Sequence, residues 1–194
     1  MSDDAAALLE PLSVGVWAVR KARLGSGSSV LVAGAGPIGI MTVVAARAAG
    51  ATDIVVSDPV ASRRAAVMEF GATKAIDPAA GDTPMTVDAF IDCSGAPVAV
   101  RSGLRAVAPG GWVVLVGTGA EEMELPLSVI QARELNVTGV FRYVDTWPAA
   151  TAIAASGEAS LDALVTARYG LDQVREALES GQPGGMKSIV EPWR

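Results

Sequence analysis

A chain of 194 residues, 51% hydrophobic and 19% charged, is long enough for one well-buried domain with a small appendage and too short for two full domains. Its formal charge of -6 argues against a nucleic-acid partner, and every apolar run is broken by Gly, Pro, Asp or Arg within about 18 residues, which argues against a membrane span. The chain has no histidine, so Ser-His-Asp catalysis, Cys-His catalysis and most zinc-site patterns are removed together. The single cysteine, Cys93, cannot close an internal disulfide. The acidic start Met1-Ser-Asp-Asp lacks the basic and apolar regions of an export signal, and the expectation is a soluble cytoplasmic protein.

In chain order, residues 5–22 alternate apolar and polar positions at helical spacing, with Pro11 in a first turn or at a kink. Residues 28–33 read as a short buried strand running into glycine. Residues 38–49, Ala-rich and apolar on nearly every face, predict a helix packed between a sheet and another layer, stopped by Gly50. A second strand follows at 53–57, a helix at 60–70 stopped by Gly71, and a brief strand at 73–76. A strand at 87–92, a helix at 97–107 with a Pro109-Gly-Gly111 stop, and a strand at 112–116 continue the alternation. After Gly119 the rhythm changes to a strand at 134–141, helices at 147–156 and 171–180, and a last strand at 186–190. Continuous apolar strands alternating with helices predict an α/β fold, a Rossmann-type doubly wound parallel sheet with helices on both faces. Between Ile76 and Val87 only ten residues are available, fewer than the dozen or so a helical crossover takes. Extended, they reach roughly 33 Å, so the chain is expected to return without a helix and leave one face thinly covered.

The segment Gly34-Ala-Gly-Pro-Ile-Gly39 follows the first strand and opens a helix. In a chain with 21 glycines the pattern alone is weak, but an acidic residue, Asp58, ends the next strand nineteen positions after Gly39. Gly34 permits the tight turn, Gly36 lets a pyrophosphate approach the backbone, and Gly39 lets helix and strand pack closely. Pro37 fits the first helical turn, whose free N–H groups and partial positive charge suit phosphates. Asp58 would accept from an adenosine ribose 2′-OH and repel a 2′-phosphate, favouring NAD over NADP, with Arg63 and Arg64 as offsetting cations. Two other readings use the same residues: helix-strand packing with Asp58 as a cap, and an S-adenosylmethionine methyltransferase.

The segments Leu9-Glu-Pro-Leu-Ser-Val-Gly15, Val32-Ala-Gly-Ala-Gly-Pro-Ile-Gly39, Phe90-Ile-Asp-Cys-Ser-Gly95, Gly110-Gly-Trp-Val-Val-Leu-Val-Gly117 and Gly139-Val-Phe-Arg-Tyr-Val-Asp-Thr-Trp-Pro148 extend the comparison over nearly the whole chain. In that order they resemble the nucleotide-binding part of medium-chain, zinc-dependent dehydrogenases of the sorbitol (polyol) dehydrogenase group. The resemblance implies that Ile38, Asp58 and Arg63 contact adenosine and pyrophosphate. It implies that Val116, Gly117 and Thr118, then Val140, Phe141 and Arg142, border the nicotinamide, and that Arg142 and Tyr143 face a polyol. Glu10 falls on the family glutamate near the catalytic zinc, as ligand or as substrate and water contact; its bland alternative is a first-turn carboxylate, and that of Arg142 and Tyr143 is packing at a strand end. Cys93 reads as a buried, inert thiol.

The same resemblance divides the chain into an inter-domain helix (1–25), an NAD(P)-binding Rossmann domain (26–145) and a C-terminal remnant bordering the catalytic domain (146–194). It implies zinc in the full-length family, with the zinc-bearing N-terminal domain lying outside these residues. This chain is then expected to bind NAD without binding zinc, and to meet an alcohol or polyol substrate only with that domain. The strand at 186–190 would have its edge unpaired there and is expected to be disordered, docked on a neighbour or added to a sheet, and a strand ending near Phe141 offers an edge for a homodimer. The alternative from another class is a non-catalytic dinucleotide-binding or sensing module.

Overall fold

The computed structural model describes residues 1–81, 85–119, 121–179 and 185–193. Helices α1 (Asp3–Ala7) and α2 (Leu9–Lys21) replace the single helix expected over 5–22, with the break at Leu8 (φ -90°, ψ -2°). Pro11 lies in the first turn of α2, where backbone N–H groups have no acceptor within the helix and the ring removes no hydrogen bond. Next come β1 (Ser29–Ala33), α3 (Pro37–Ala48), β2 (Asp53–Ser57), α4 (Ala61–Glu69) and β3 (Lys74–Ile76). They are followed by β4 (Val87–Asp92), α5 (Pro97–Ala106), β5 (Val107–Leu115), α6 (Leu127–Ala132) and β6 (Asn136–Gly139). The chain continues through α7 (Trp147–Ser156), β7 (Val165–Gly170), α8 (Val174–Glu179) and β8 (Lys187–Glu191).

The first six strands form one parallel sheet in the order β3-β2-β1-β4-β5-β6. Because successive side chains on a strand point to opposite faces, each strand feeds two cores. Val30, Val32, Ile54, Val56, Ala89 and Ile91 join the core that includes residues of α2, α3 and α7. Leu31, Val55, Ile76, Phe90 and Val113 join the other, which α5 closes with Val100 and Leu104. The doubly wound sheet with helices on both faces is therefore present. Between β3 and β4 the described residues hold one short 3-10 turn, Pro78–Ala80, started by Asp77, whose carboxylate accepts from the Ala79 N–H at 2.9 Å. The β3-β2-β1 half of the second face has that turn where a crossover helix would lie.

Several elements depart from the sequence expectation. β5 begins at Val107 rather than 112, because Val107 already pairs with Val87 before a bulge around Gly110 (φ +77°) shifts the register to Ala89 and Trp112. β6 is shorter than 134–141, since Glu134 takes a left-handed turn (φ +52°) and pairing ends with Gly139 opposite Leu115. The helix expected over 171–180 opens as a 3-10 turn, Leu171–Gln173, and continues as α8 to Glu179; Ser180 lies outside the described residues.

α6 and β7 had no sequence expectation, and β7 corrects the view of the last strand. β8 is not left unpaired: it runs parallel to β7, with Tyr169 opposite Val190 and Gly170 opposite Glu191. Val165, Ala167 and Tyr169 alternating with Thr166 and Arg168 make a period-2 signal, weak because the run is short and Ala167 is small. Arg168 of β7 pairs with Asp4 of α1 and with Glu191 of β8, the latter at 3.0 Å. No helix among the described residues is long and apolar enough to cross a membrane.

Candidate dinucleotide site

The register of the sheet aligns the ends of its strands in one row. Ala33 is opposite Ser57 and Asp92, Asp92 is opposite Leu115, and Leu115 is opposite Gly139. Each is followed at once by a candidate segment: the glycine turn, Asp58, Cys93 to Gly95, Val116 to Thr118, and Val140 to Tyr143. Strands lie about 4.8 Å apart, so the row from β2 to β6 spans roughly 19 Å along the carboxyl edge of the sheet. The row brackets the point where strand order reverses between β1 and β4, the place where doubly wound sheets bind ligands.

At the glycine turn Gly34 has φ +96°, a conformation that favours glycine, and its N–H donates to the Ser57 carbonyl at 2.8 Å. A Cβ on Gly39 would lie 1.9 Å from the Gly34 carbonyl oxygen, so the first turn of α3 rests directly on the loop. A Cβ on Gly36 would meet nothing within 4 Å, which leaves the backbone there open to a ligand. Pro37 and Ile38 open α3 beyond it, both half-buried. Asp58, 3% exposed, accepts from the Ala35 N–H with one oxygen and from the Val60 N–H with the other, each at 2.8 Å. Its carboxylate thus ties the glycine turn to the loop after β2. The helix cap entertained from sequence is not formed: α4 has Val60 at its N-cap with no side-chain hydrogen bond, and Asp58 instead holds the loop ahead of it.

Gly34, Gly36, Asp58 and Arg63 share the wall of a cavity of about 620 Å³. Arg64, grouped with Arg63 from sequence, turns elsewhere: it donates to the Asp58 carbonyl at 2.7 Å and pairs with the Asp77 carboxylate at 2.9 Å. Its charge is matched by Asp77, which leaves Arg63 as the cation on the cavity wall.

A residue without an assigned role in the sequence reading organises the middle of the row. Asp92 is 1% exposed; one oxygen accepts from the Ser94 N–H (3.0 Å) and hydroxyl (2.7 Å), the other from the Gly95 N–H (3.1 Å). Its carbonyl accepts from the N–H groups of both Val116 and Gly117 at 2.9 Å. An Asp followed by Ser and Gly is an Asx-turn signal that would have marked it.

Cys93 is half-buried as a residue, and burial around its sulfur pushes the thiol up to about 12, with Thr42 Oγ1 3.5 Å away. The thiol stays protonated in the fold at neutral pH. From 9 toward 12 the unfolded chain ionises while the folded chain keeps its proton, so this group lowers stability as pH rises through that window. A thiol-disulfide reagent at pH 8 is expected to label Cys93 far more slowly in the folded chain than in the unfolded one, because little thiolate is present in the fold. Rapid stoichiometric labelling under native conditions would contradict this.

On the far side of the row, Val116, Gly117 and Thr118 leave β5, and the Val140 N–H still donates to the Leu115 carbonyl at 2.8 Å. Phe141 is 89% exposed, Arg142 has φ +61° with its guanidinium 5.7 Å from the Phe141 ring, and Tyr143 meets Trp147 edge-on at 6.0 Å. Asp145 is also left-handed (φ +50°), and Arg20 donates to its carbonyl at 2.8 Å. Two non-glycine residues in this region within four positions are a concentration of backbone strain of the kind found at functional loops. Glu10 stands exposed in the first turn of α2, away from the cavity wall. Among the described residues no three His, Cys, Asp or Glu side chains gather as a metal set. Glu10, exposed, and Cys93, protonated and buried at its sulfur, do not together make a zinc ligand set.

Residues 37–156 match the family model described as zinc-binding dehydrogenase. The chain is 41% identical over 198 aligned residues to sorbitol dehydrogenase of Rattus norvegicus, covering 95% of this chain and 55% of that protein. To the Homo sapiens sorbitol dehydrogenase it is 37% identical with the same coverage. It therefore spans about half the length of these relatives. Among solved structures, a zinc-binding dehydrogenase from Sinorhizobium meliloti bound to NADP superposes with a TM-score of 0.91 at 32% identity, over 97% of this chain and 59% of that one. The 2R,3R-butanediol dehydrogenase of Bacillus subtilis gives 0.88 at 32% identity, over 99% and 58%. With more than half of its residues matching the family model, the chain belongs to the zinc-binding dehydrogenase family.

Proposed function

We propose that this chain is the NAD(H)-binding part of a zinc-dependent polyol or alcohol dehydrogenase and does not oxidise alcohols by itself. The observation that carries the reading is the glycine turn, fixed to Asp58 and set in one row with the segments after β4, β5 and β6. Bound there, the dinucleotide supplies a nicotinamide that exchanges hydride with the carbinol carbon of a secondary alcohol. The chain's own part is to hold it. The free N–H groups at the start of α3, with Gly34, Gly36, Pro37, Ile38 and Gly39, receive the pyrophosphate. Asp58 and Arg63 receive the adenosine side. Val116, Gly117, Thr118, Val140, Phe141 and Arg142 border the nicotinamide, while Arg142 and Tyr143 face the alcohol. Glu10 would meet the metal and substrate only in company with zinc ligands from other residues. The names of the relatives, sorbitol and butanediol dehydrogenases, support a polyol or diol substrate class.

NAD rather than NADP is favoured by Asp58 at the end of β2 and by the pairing of Arg64 with Asp77, which takes one cation away from a 2′-phosphate. Isothermal titration is expected to give NADH at least tenfold tighter than NADPH for the native chain, a gap that narrows in Asp58→Ala. Equal affinities before mutation would overturn the assignment. Because Asp58→Ala also releases the Ala35 and Val60 N–H groups, its thermal midpoint is measured beside Asp58→Asn.

The outer strand β6 offers its free edge to a second copy, continuing the sheet across a homodimer. Size-exclusion chromatography at high concentration is expected to show a dimer, and a monomer throughout would sink that arrangement.

A further inference from the structure

Asp92 stands in the middle of the carboxyl edge of the large sheet, and no part of the dinucleotide reading uses it. Adenosine at Asp58 and pyrophosphate at the glycine turn lie over the ends of β2 and β1, so the rest of an extended dinucleotide runs the other way, over β4 and β5. From β1 to β5 is two strand spacings, roughly 10 Å, which brings the nicotinamide end to the loops that leave β4 and β5.

Those two loops interlock, and Asp92 joins them. Its side chain, 1% exposed, accepts from the N–H groups of Ser94 and Gly95 on its own loop. Its carbonyl accepts from the N–H groups of Val116 and Gly117 on the next, at 2.9 Å each. Between the loops there is no room for a methyl group. A Cβ on Gly117 would lie 2.2 Å from the Gly95 nitrogen and 2.9 Å from an Asp92 carboxylate oxygen, and one on Gly119 would lie 2.0 Å from the Gly95 carbonyl oxygen. In packing this close, the position of one loop fixes the other.

We propose that Asp92 is a positioning residue for the nicotinamide half of the cofactor, setting where Val116, Gly117 and Thr118 stand while its own buried side chain touches no ligand. The inference rests on the dinucleotide reading and goes beyond it in dividing the edge into two separable parts. The adenosine side has a tie of its own, the hydrogen bond from the Ala35 N–H to Asp58, in which Asp92 has no share. Loosening Asp92 therefore releases the loops after β4 and β5 and leaves the anchors of adenosine and pyrophosphate in place.

The test titrates the whole chain with NADH and with ADP-ribose, which keeps the adenosine, the pyrophosphate and the second ribose but has no nicotinamide. Two variants part the loops by different means. Asp92→Asn keeps the side-chain shape but turns an amide NH2 group toward N–H donors, and Gly119→Ala wedges a methyl group against the Gly95 carbonyl. The native chain is expected to bind NADH at least tenfold tighter than ADP-ribose. In at least one variant that lead should fall below threefold while the affinity for ADP-ribose itself changes less than threefold. A merely structural role would weaken both ligands in step. A native lead below tenfold, or the absence of that split from both variants, overturns the positioning role. If the native chain binds neither ligand, the dinucleotide reading beneath it falls instead, an outcome distinct from the other two.

Discussion

Gly39→Ala should weaken NADH binding at least a hundredfold, equivalent to ~2.8 kcal/mol, and lower the thermal midpoint as well. The added Cβ would stand 1.9 Å from the Gly34 carbonyl oxygen and 2.9 Å from its carbon, both backbone atoms that no rotamer change can move. Relief requires the first turn of α3 to back away from the loop, and overpacking of this kind costs about 1–3 kcal/mol in the fold alone. The same displacement carries away the N–H groups that face the pyrophosphate, so binding suffers more than stability. Titration calorimetry and thermal unfolding on the same preparation separate the two effects. An affinity within threefold of the native chain would show that the turn is not the anchor.

The second large effect is expected at Asp92. Asp92→Ala should destabilise the chain by roughly 2–4 kcal/mol, because the buried Gly95 N–H loses its acceptor at about 1–3 kcal/mol and the part-buried Ser94 N–H and hydroxyl lose theirs at a smaller cost. The damage spreads along the row: a Cβ on Gly117 would already lie 2.2 Å from the Gly95 nitrogen, so the loops after β4 and β5 are packed as one body. Urea unfolding checks the magnitude, and Asp92→Asn, which keeps one acceptor, should fall between. A loss under about 0.5 kcal/mol for Asp92→Ala, the range of ordinary surface substitutions, would mean that the turn holds without the carboxylate.

The first half of the fold was legible because its signals are local and physically obligatory. A buried strand, a glycine with positive φ, a proline at a helix start and an acid at the end of the next strand each restrict the backbone within a few residues. The short Ile76 to Val87 connection was legible by arithmetic alone, and the structure adds the cavity beside it. What escaped depends on partners far away in sequence. Arg63 and Arg64 are indistinguishable by type, and only the position of Asp77 divides them. β7 carries its alternation on Ala and Tyr with polar residues between, and without a recognised β7 the final strand had no visible mate. The local turn at Asp92 had a signal in the Ser and Gly that follow it, but the tie of its carbonyl to Val116 and Gly117 appears only once the fold brings β5 beside β4.

The pairing of Arg168 with both Asp4 and Glu191 makes an electrostatic clasp between segments 164 residues apart. The hydrogen bond from Arg168 holds the Asp4 carboxyl below the usual carboxylate range, so the clasp contributes above the ordinary carboxylate pKa and fades as pH falls through the lowered one. Salt acts the same way only at about 1 M, where the screening length falls to about 3 Å and reaches the contact distance of the pairs. Acid and high ionic strength therefore loosen α1 and the small β7-β8 sheet together, while the apolar layers around the large sheet do not rely on charge. The first and last described segments are therefore expected to loosen together, away from the carboxyl edge of the large sheet.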